Sequence, residues 1–320
     1  MEKIAILMST YNGEKYLSEQ IFSIQNQTYK NWHLYVRDDG SVDNTPEIIK
    51  QYSQKDSRIE LVKSNKNLGP ARSFLKLLND IDADYYFFCD QDDYWIDTKL
   101  EVMLNEIKKY DNSIPQLVYC NLKCVNQNLK PVDYDFDNWI GKVSGNNRFI
   151  DNDMPGCVML INKPVKEIVS RHEPNCENIQ MHDWWIALVV EFFGEIHFLN
   201  QRLVYYRQHG DNARGAGSAK PKSIFYKLFI SFLKNKKKWM REVRRDFSQD
   251  MEFRKLFGIN LPSSTKKLLD EMSECPQKTL IYRLNFLNKY NFNKIVPSDT
   301  VKYKLKFSLS INKEAEKYIN

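Results

Sequence analysis

The sequence predicts an α/β fold, a sheet layered between helices, followed by a mainly helical and basic C-terminal region. Three observations carry that expectation. Short apolar runs alternate with helix-length amphipathic stretches over the first hundred residues, and repeated strand–helix units build a parallel sheet with helices on both faces. The polar clusters STYNG, DDGS, NKNLGP and DQDD fall at the ends of those runs, where sheets of this class collect ligands. Charge is divided: from 218 to 320 there are 23 Lys or Arg against 10 Asp or Glu, while the rest is mildly acidic, so the two parts do different work.

The elements follow in order. IAILMS (Ile4 to Ser9) is a continuous apolar run of the buried-strand kind. After it, Leu17, Ile21 and Ile24 share a helix face. HLYVRDD (His33 to Asp39) is a second strand ending on two acids and Gly40, and Pro46 suits the first turn of the helix beginning at Thr45. IELVKS is a third strand, PARSFLKLLND a third helix, and YYFFCD (Tyr85 to Asp90) a fourth strand. Beyond Tyr110 the rhythm loosens: QLVYCNL, GCVMLIN and RLVYYRQ read as strands and HDWWIALVVEFF as a helix. Residues 130 to 153, rich in Asp, Asn and Gly, read as a flap on the acceptor side, and 215 to 223 as a linker. These readings divide the chain into 1–215 and 216–320.

A chain of 320 residues holds roughly two domains at about 150 residues each. Its 42% apolar and 28% charged content is ordinary for a globular protein. The N-terminal apolar run is too short for a signal-peptide core, and no stretch approaches the roughly 18 apolar residues of a membrane span. Cytoplasmic residence is the expectation. Six scattered cysteines without a CxxC pair read as reduced core thiols rather than a disulfide framework or zinc site.

The stretch CDQDDYW delivers Asp90, Asp92 and Asp93 at the end of one strand. Carboxylates this close repel, and stay ionised together only beside a cation. Oxygen ligands favour Mg²⁺ or Mn²⁺. The plain alternative is a solvated acidic turn with Asp93 or Asp97 capping the next helix. Neither GxGxxG nor GxxxxGK[ST] occurs, so a bound nucleotide would depend on the metal for its phosphates.

STYNGEKYL, DDGSVDNT, NLGPARS and DQDDYW, in that order, resemble the donor half of inverting family 2 glycosyltransferases of GT-A fold. MHDWW and YYRQHGDN are similar to the rhamnosyltransferase branch. The resemblance covers about residues 1 to 215. It implies a nucleotide-sugar-binding domain with a mixed central sheet and a nucleoside diphosphate sugar donor, dTDP-rhamnose. It implies that Ser9, Tyr11 and Asp39 hold the nucleoside, with Asp38 as the alternative to Asp39, and that Arg72 approaches the nucleotide or its phosphates, with a surface arginine as the alternative. Asp90 would contact ribose or metal, Asp92 the metal, and His209 the metal or diphosphate, or else stand as a structural histidine. Inversion also needs a base for the acceptor hydroxyl. Asp183 at a helix start is the candidate, with a simple helix cap as the alternative and His182 in reserve. Trp184 and Trp185 would rim the acceptor site and raise the pKa of Asp183.

The segment 223–245 carries Ile224, Phe225, Leu228, Phe229, Phe232 and Leu233 on one stripe, followed by a cationic run. A basic amphipathic helix suits an anionic membrane surface, and a helix packed on the catalytic domain is the alternative. No nucleic-acid recognition motif accompanies it. Three functions are thus weighed. The first is a metal-dependent transferase moving L-rhamnose onto a surface polysaccharide or polyprenyl-linked glycan at the inner membrane face. The others are a nucleotidyltransferase and a non-catalytic nucleotide-sugar or polyanion binder.

Overall fold

The computed structural model describes residues 2–63, 66–132, 139–209, 224–311 and 313–319. The 215–223 linker therefore lies outside the described residues, as do most side chains of the 223–245 stripe. The chain forms two compact units. One comprises Met1–Gly141, Asp153–Arg171 and Met181–Gly217, the other Lys142–Asn152, His172–Gln180 and Ser218–Asn320.

The first unit begins as the sequence reading expects. Strands β1 (Ile4–Thr10), β2 (His33–Asp38), β3 (Ile59–Val62) and β4 (Tyr85–Cys89) alternate with helices α1 (Leu17–Gln25), α2 (Thr45–Lys55) and α3 (Pro70–Asp80). Pro46 and Pro70 both fall in first helical turns, where a missing N–H leaves no hydrogen bond unmade. β1 lies between β2 and β4, parallel to both. Residues Ala5 to Met8 are fully buried, which explains an apolar run without alternation.

A two-residue strand β5 (Tyr94–Trp95), helix α4 (Lys99–Ile107) and strand β6 (Gln116–Val125) follow. Next come β7 (Met159–Asn162), α5 (Lys163–Arg171), α6 (His182–Phe193) and β8 (Glu195–Arg207). The eight strands make one sheet in the order β3-β2-β1-β4-β7-β6-β8-β5. β7 is antiparallel to β4 and to β6, and β5 to β8, whereas β6 and β8 are parallel. The sheet is therefore mixed, and strand–helix alternation alone, which implied a parallel one, missed the reversal at β7. Two register shifts flank Asn121 where β6 pairs with β8.

The second unit is helical, with α7 (Ile224–Phe257), α8 (Ser263–Glu274), α9 (Leu280–Lys289) and α10 (Pro297–Ser310). Its core includes Phe247, Phe253, Leu268, Leu287 and Phe307. Arg283 is threaded among carbonyls of Cys275, Pro276, Lys278 and Ser308, a satisfied buried cation rather than a surface one. Among the described residues no helix is long and apolar enough to cross a membrane. Among the described residues, none of the six cysteines forms a disulfide.

Candidate functional site

The ends of β1, β2 and β4 carry the clusters singled out in the sequence, and side-chain bonds stitch them together. Asp38 caps its own turn, accepting from Thr10 Oγ1 at 2.9 Å, Ser41 N at 3.0 Å and Ser41 Oγ. Ser41 Oγ in turn accepts from Asn12 N at 2.9 Å, and Thr45 Oγ1 from Gly13 N at 2.8 Å. Asp43 accepts from Glu14 N and Thr45 N. The pattern DDGSVDNT thus serves first to lock its loop onto STYNG. Asp38 is a turn residue, and Ser9 and Tyr11 stand beside it, Ser9 half-buried and the Tyr11 ring 51% exposed.

Asp39 is 3% exposed. It pairs with Arg37 and accepts from Leu68 N and Gly69 N, each at 2.7 Å. Burial alone pushes its carboxyl up. The Leu68 N–H, Arg37, Ser73 and the Gly69 N–H outweigh burial and hold it below the ordinary carboxylate range. Gly69 has φ +76°, a backbone region that favours glycine, and this brings its N–H onto Asp39. Asp39 therefore ties the β2 end to the start of α3, whose first turn carries half-buried Arg72.

Beyond β4 the acidic turn is held from several sides. Gln91 reaches back to the Tyr11 backbone, accepting from its N at 2.9 Å and donating to its O at 3.0 Å. On the other side stands Arg207, at the end of β8 and fully buried. Its Nε donates to Asp92 O at 2.7 Å, Nη1 to Gln127 O, and Nη2 to Glu19 at 2.7 Å. The guanidinium also lies 4.4 Å from the Tyr16 ring centroid. Two residues on, His209 Nε2 meets Asp92 Oδ2 at 2.8 Å. The structure thus joins two of the expected metal residues.

Asp93 is not a helix cap. It is fully buried, and its Oδ1 accepts from Arg207 N at 3.0 Å. Burial, then the carboxylates of Asp92 and Asp90, push it well above the ordinary range. Ligand atoms of Asp90, Asp93 and Cys157 lie within 4.8 Å of one another. Burial pushes the Cys157 thiol well up as well, so it stays protonated and is a poor metal ligand. Buried Lys99 donates Nζ to Cys157 O at 2.5 Å and lies 3.3 Å from the Trp95 ring centroid. Trp95 is thus the platform of a buried cation placed near the acids.

Asp183 lies in the first turn of α6 but is not its N-cap, which is Met181. Its Oδ2 accepts from Gly156 N at 3.0 Å. The carboxylate is close enough to Asp90 to act on it: burial first, then Asp92 and Asp183, raise Asp90 to about 7. His182 is a core residue. It is 1% exposed, stacked 4.0 Å from Phe74 between ring centroids, and burial lowers it to about 3. It is a neutral core ring, not a reserve base. Trp184 and Trp185 are 3% and 0% exposed, which corrects the expected acceptor rim. Helix α6 turns its indoles into the core, where each hides a large apolar area from water.

Sequence reading missed Gln91, Gly156, Lys99 and the structural weight of Arg207.

Residues 5–161 match the family described as Glycosyl transferase family 2. The "dTDP-rhamnosyl transferase RfbG" of Shigella flexneri is 29% identical over 65% of this chain and 74% of its own length. The "UDP-Glc:alpha-D-GlcNAc-diphosphoundecaprenol beta-1,3-glucosyltransferase WfgD" of Escherichia coli is 36% identical, but over only 39% of this chain and 47% of its own length. S. aureus TarS in complex with UDP shares the fold at TM-score 0.53 and 13% identity, over 98% of this chain and 90% of that one. The mannosyltransferase PcManGT from Pyrobaculum calidifontis, in complex with GDP-Man and Mn²⁺, does so at 0.51 and 13%, over 99% and 83%.

Proposed function

We propose that this chain, a family 2 glycosyltransferase of GT-A fold over residues 5–161, moves L-rhamnose from dTDP-rhamnose to a glycan acceptor with inversion. The observation that carries the reading is the pairing of Asp92 with His209 at 2.8 Å in the acidic turn beyond β4. Support for the sugar comes from the Shigella flexneri relative.

Ser9, Tyr11 and Asp39 would receive the nucleoside, the exposed Tyr11 ring offering a face to the base. Arg72 would meet the diphosphate from the first turn of α3. An oxygen and an imidazole nitrogen at 2.8 Å are a donor set that suits a divalent cation, so Asp92 and His209, with Asp90, would hold Mg²⁺ or Mn²⁺. Such an ion neutralises charge building on a departing nucleoside diphosphate. Asp183 would take the acceptor hydroxyl proton at Oδ1, which also accepts from Trp184 N, while Gly156 N–H holds Oδ2 in place.

The acceptor would be a polyprenyl-linked or polysaccharide glycan, met at the inner membrane face through the basic N-terminal part of α7. Catalysis would reside in 1–215, with 216–320 serving attachment. Transfer from dTDP-rhamnose in the presence of Mn²⁺, followed by NMR of the anomeric product, tests the reaction. Transfer unchanged in both Asp92→Asn and Asp183→Asn sinks it. Flotation with anionic liposomes tests the attachment, and binding that does not depend on 223–245 retires it.

A further inference from the structure

The ladder between β1 and β4 ends at the pair Met8 and Cys89. Beyond it the chains part into the STYNG and DQDD loops, yet the pairing continues by other means. The carboxamide of Gln91 takes the place of a strand partner for Tyr11, accepting from its N at 2.9 Å and donating to its O at 3.0 Å. Gly13 makes room for this amide. A methyl group there would meet Gln91 Oε1 at 2.3 Å and Cδ at 2.6 Å, so any side chain at 13 would push the amide away.

We infer that Gln91 is a positioning residue that sets the spacing between the nucleoside-binding loop and the metal-binding turn, and so gauges the length of a nucleoside diphosphate. The inference rests on the donor-binding role proposed above. Three facts lead to it. Gln91 adjoins Asp92 in the chain, whereas Tyr11 is 80 residues away. Both of its amide groups are spent on one backbone unit, so the contact fixes orientation as well as distance. The opposite side of the same turn is already pinned by Arg207 and His209, which leaves the Gln91 side as the one that sets the gap. Two loops held at the right separation let a ligand bind both at once without ordering them.

Glutamine is the residue for this task. Glutamate keeps the acceptor for Tyr11 N but sets a second oxygen against Tyr11 O. Alanine removes the bridge altogether.

Calorimetric titration with three probes tests the inference: dTMP, Mn²⁺ with pyrophosphate, and Mn²⁺ with dTDP. Gln91→Glu and Gln91→Ala are expected to weaken Mn²⁺–dTDP by about ten-fold or more while each fragment stays within about two-fold of wild type, because only the ligand that spans both loops depends on their spacing. Gly13→Ala should reproduce the loss, and adding it to Gln91→Ala should cost nothing further, because the two changes break one contact. Equal weakening of all three probes, an unchanged Mn²⁺–dTDP affinity, or additive losses in the double variant overturns the role of Gln91. Failure of wild type to bind Mn²⁺–dTDP overturns the donor reading itself, and the inference with it.

Discussion

Asp92 and His209 are 117 residues apart and share a hydrogen bond of 2.8 Å between Oδ2 and Nε2. The contact depends on β8 ending beside the acidic turn, where Arg207 grips the backbone of the same aspartate. A carboxylate and an imidazole placed by different strands form a site only when both strands are in register.

The first prediction concerns that pair. Asp92→Asn and His209→Ala should each weaken Mn²⁺ binding in the presence of dTDP by at least the roughly 10–100-fold that loss of a supporting partner costs. Equilibrium dialysis measures it. A His209→Ala protein that binds Mn²⁺ as wild type does would leave the histidine a purely structural partner of Asp92.

Arg207→Met should destabilise the fold. It leaves the part-buried carbonyls of Asp92 and Gln127 without their donor, a loss of about 0.5–1.5 kcal/mol for each hydrogen bond. Lysine should not restore stability, because one ammonium lacks the planar fork that serves both carbonyls and Glu19. Urea titration of the three proteins decides the matter.

Asp183→Asn should abolish transfer by about 10²–10⁴-fold, the usual worth of a general base, and leave Mn²⁺–dTDP affinity intact. Kinetics and titration on the same preparation separate the two. Parallel loss of donor binding would make Asp183 part of the donor site instead.

Asp90 would give metal binding a pH dependence. Its carboxyl is raised to about 7 by burial and by Asp92 and Asp183, so below that pH a proton competes with the cation. Mn²⁺ affinity should rise with pH until about 7 and level off above it. The ligand-free protein should respond in the opposite sense. A carboxyl raised on folding takes its proton more tightly in the native state, so stability is lost as pH climbs from the ordinary range toward 7. Asp90→Asn should flatten both trends.

His182 acts in the acid range. Its imidazole is lowered from 6.5 to about 3 by burial, so the unfolded chain takes up a proton that the native protein refuses. Stability is then fully present above about 6.5 and is lost as pH falls toward 3, by on the order of 5 kcal/mol at 1.36 kcal/mol per pH unit. His182→Leu should remove that part of the acid sensitivity. Thermal melts at pH 7 and pH 4 compare the two proteins, and an equal drop in both contradicts the account.

The elements were legible because they are written in local periodicity. β1 shows as an apolar run because both faces of a central strand are buried. α6 was read over its full span, and Pro46 and Pro70 marked helix starts. The four polar clusters could be assigned to one edge because strands that run parallel end on the same side. Where β7 runs antiparallel, local pattern had nothing to say.

At the site, the sequence by itself determined which residues stand at the strand ends and that carboxylates gather there. Only the tertiary structure decided what each one does. Asp38 and Asp39 look equivalent in sequence, yet one caps its own turn while the other holds the loop before α3. MHDWW looked like an exposed rim, but its indoles and imidazole are core and only Asp183 bonds across to Gly156. Gln91 and Arg207 gave little or no local signal because their partners are 80 and 115 residues away. Periodicity reports which face a residue takes on its own element, whereas the partner across the gap is set by how the strands are ordered.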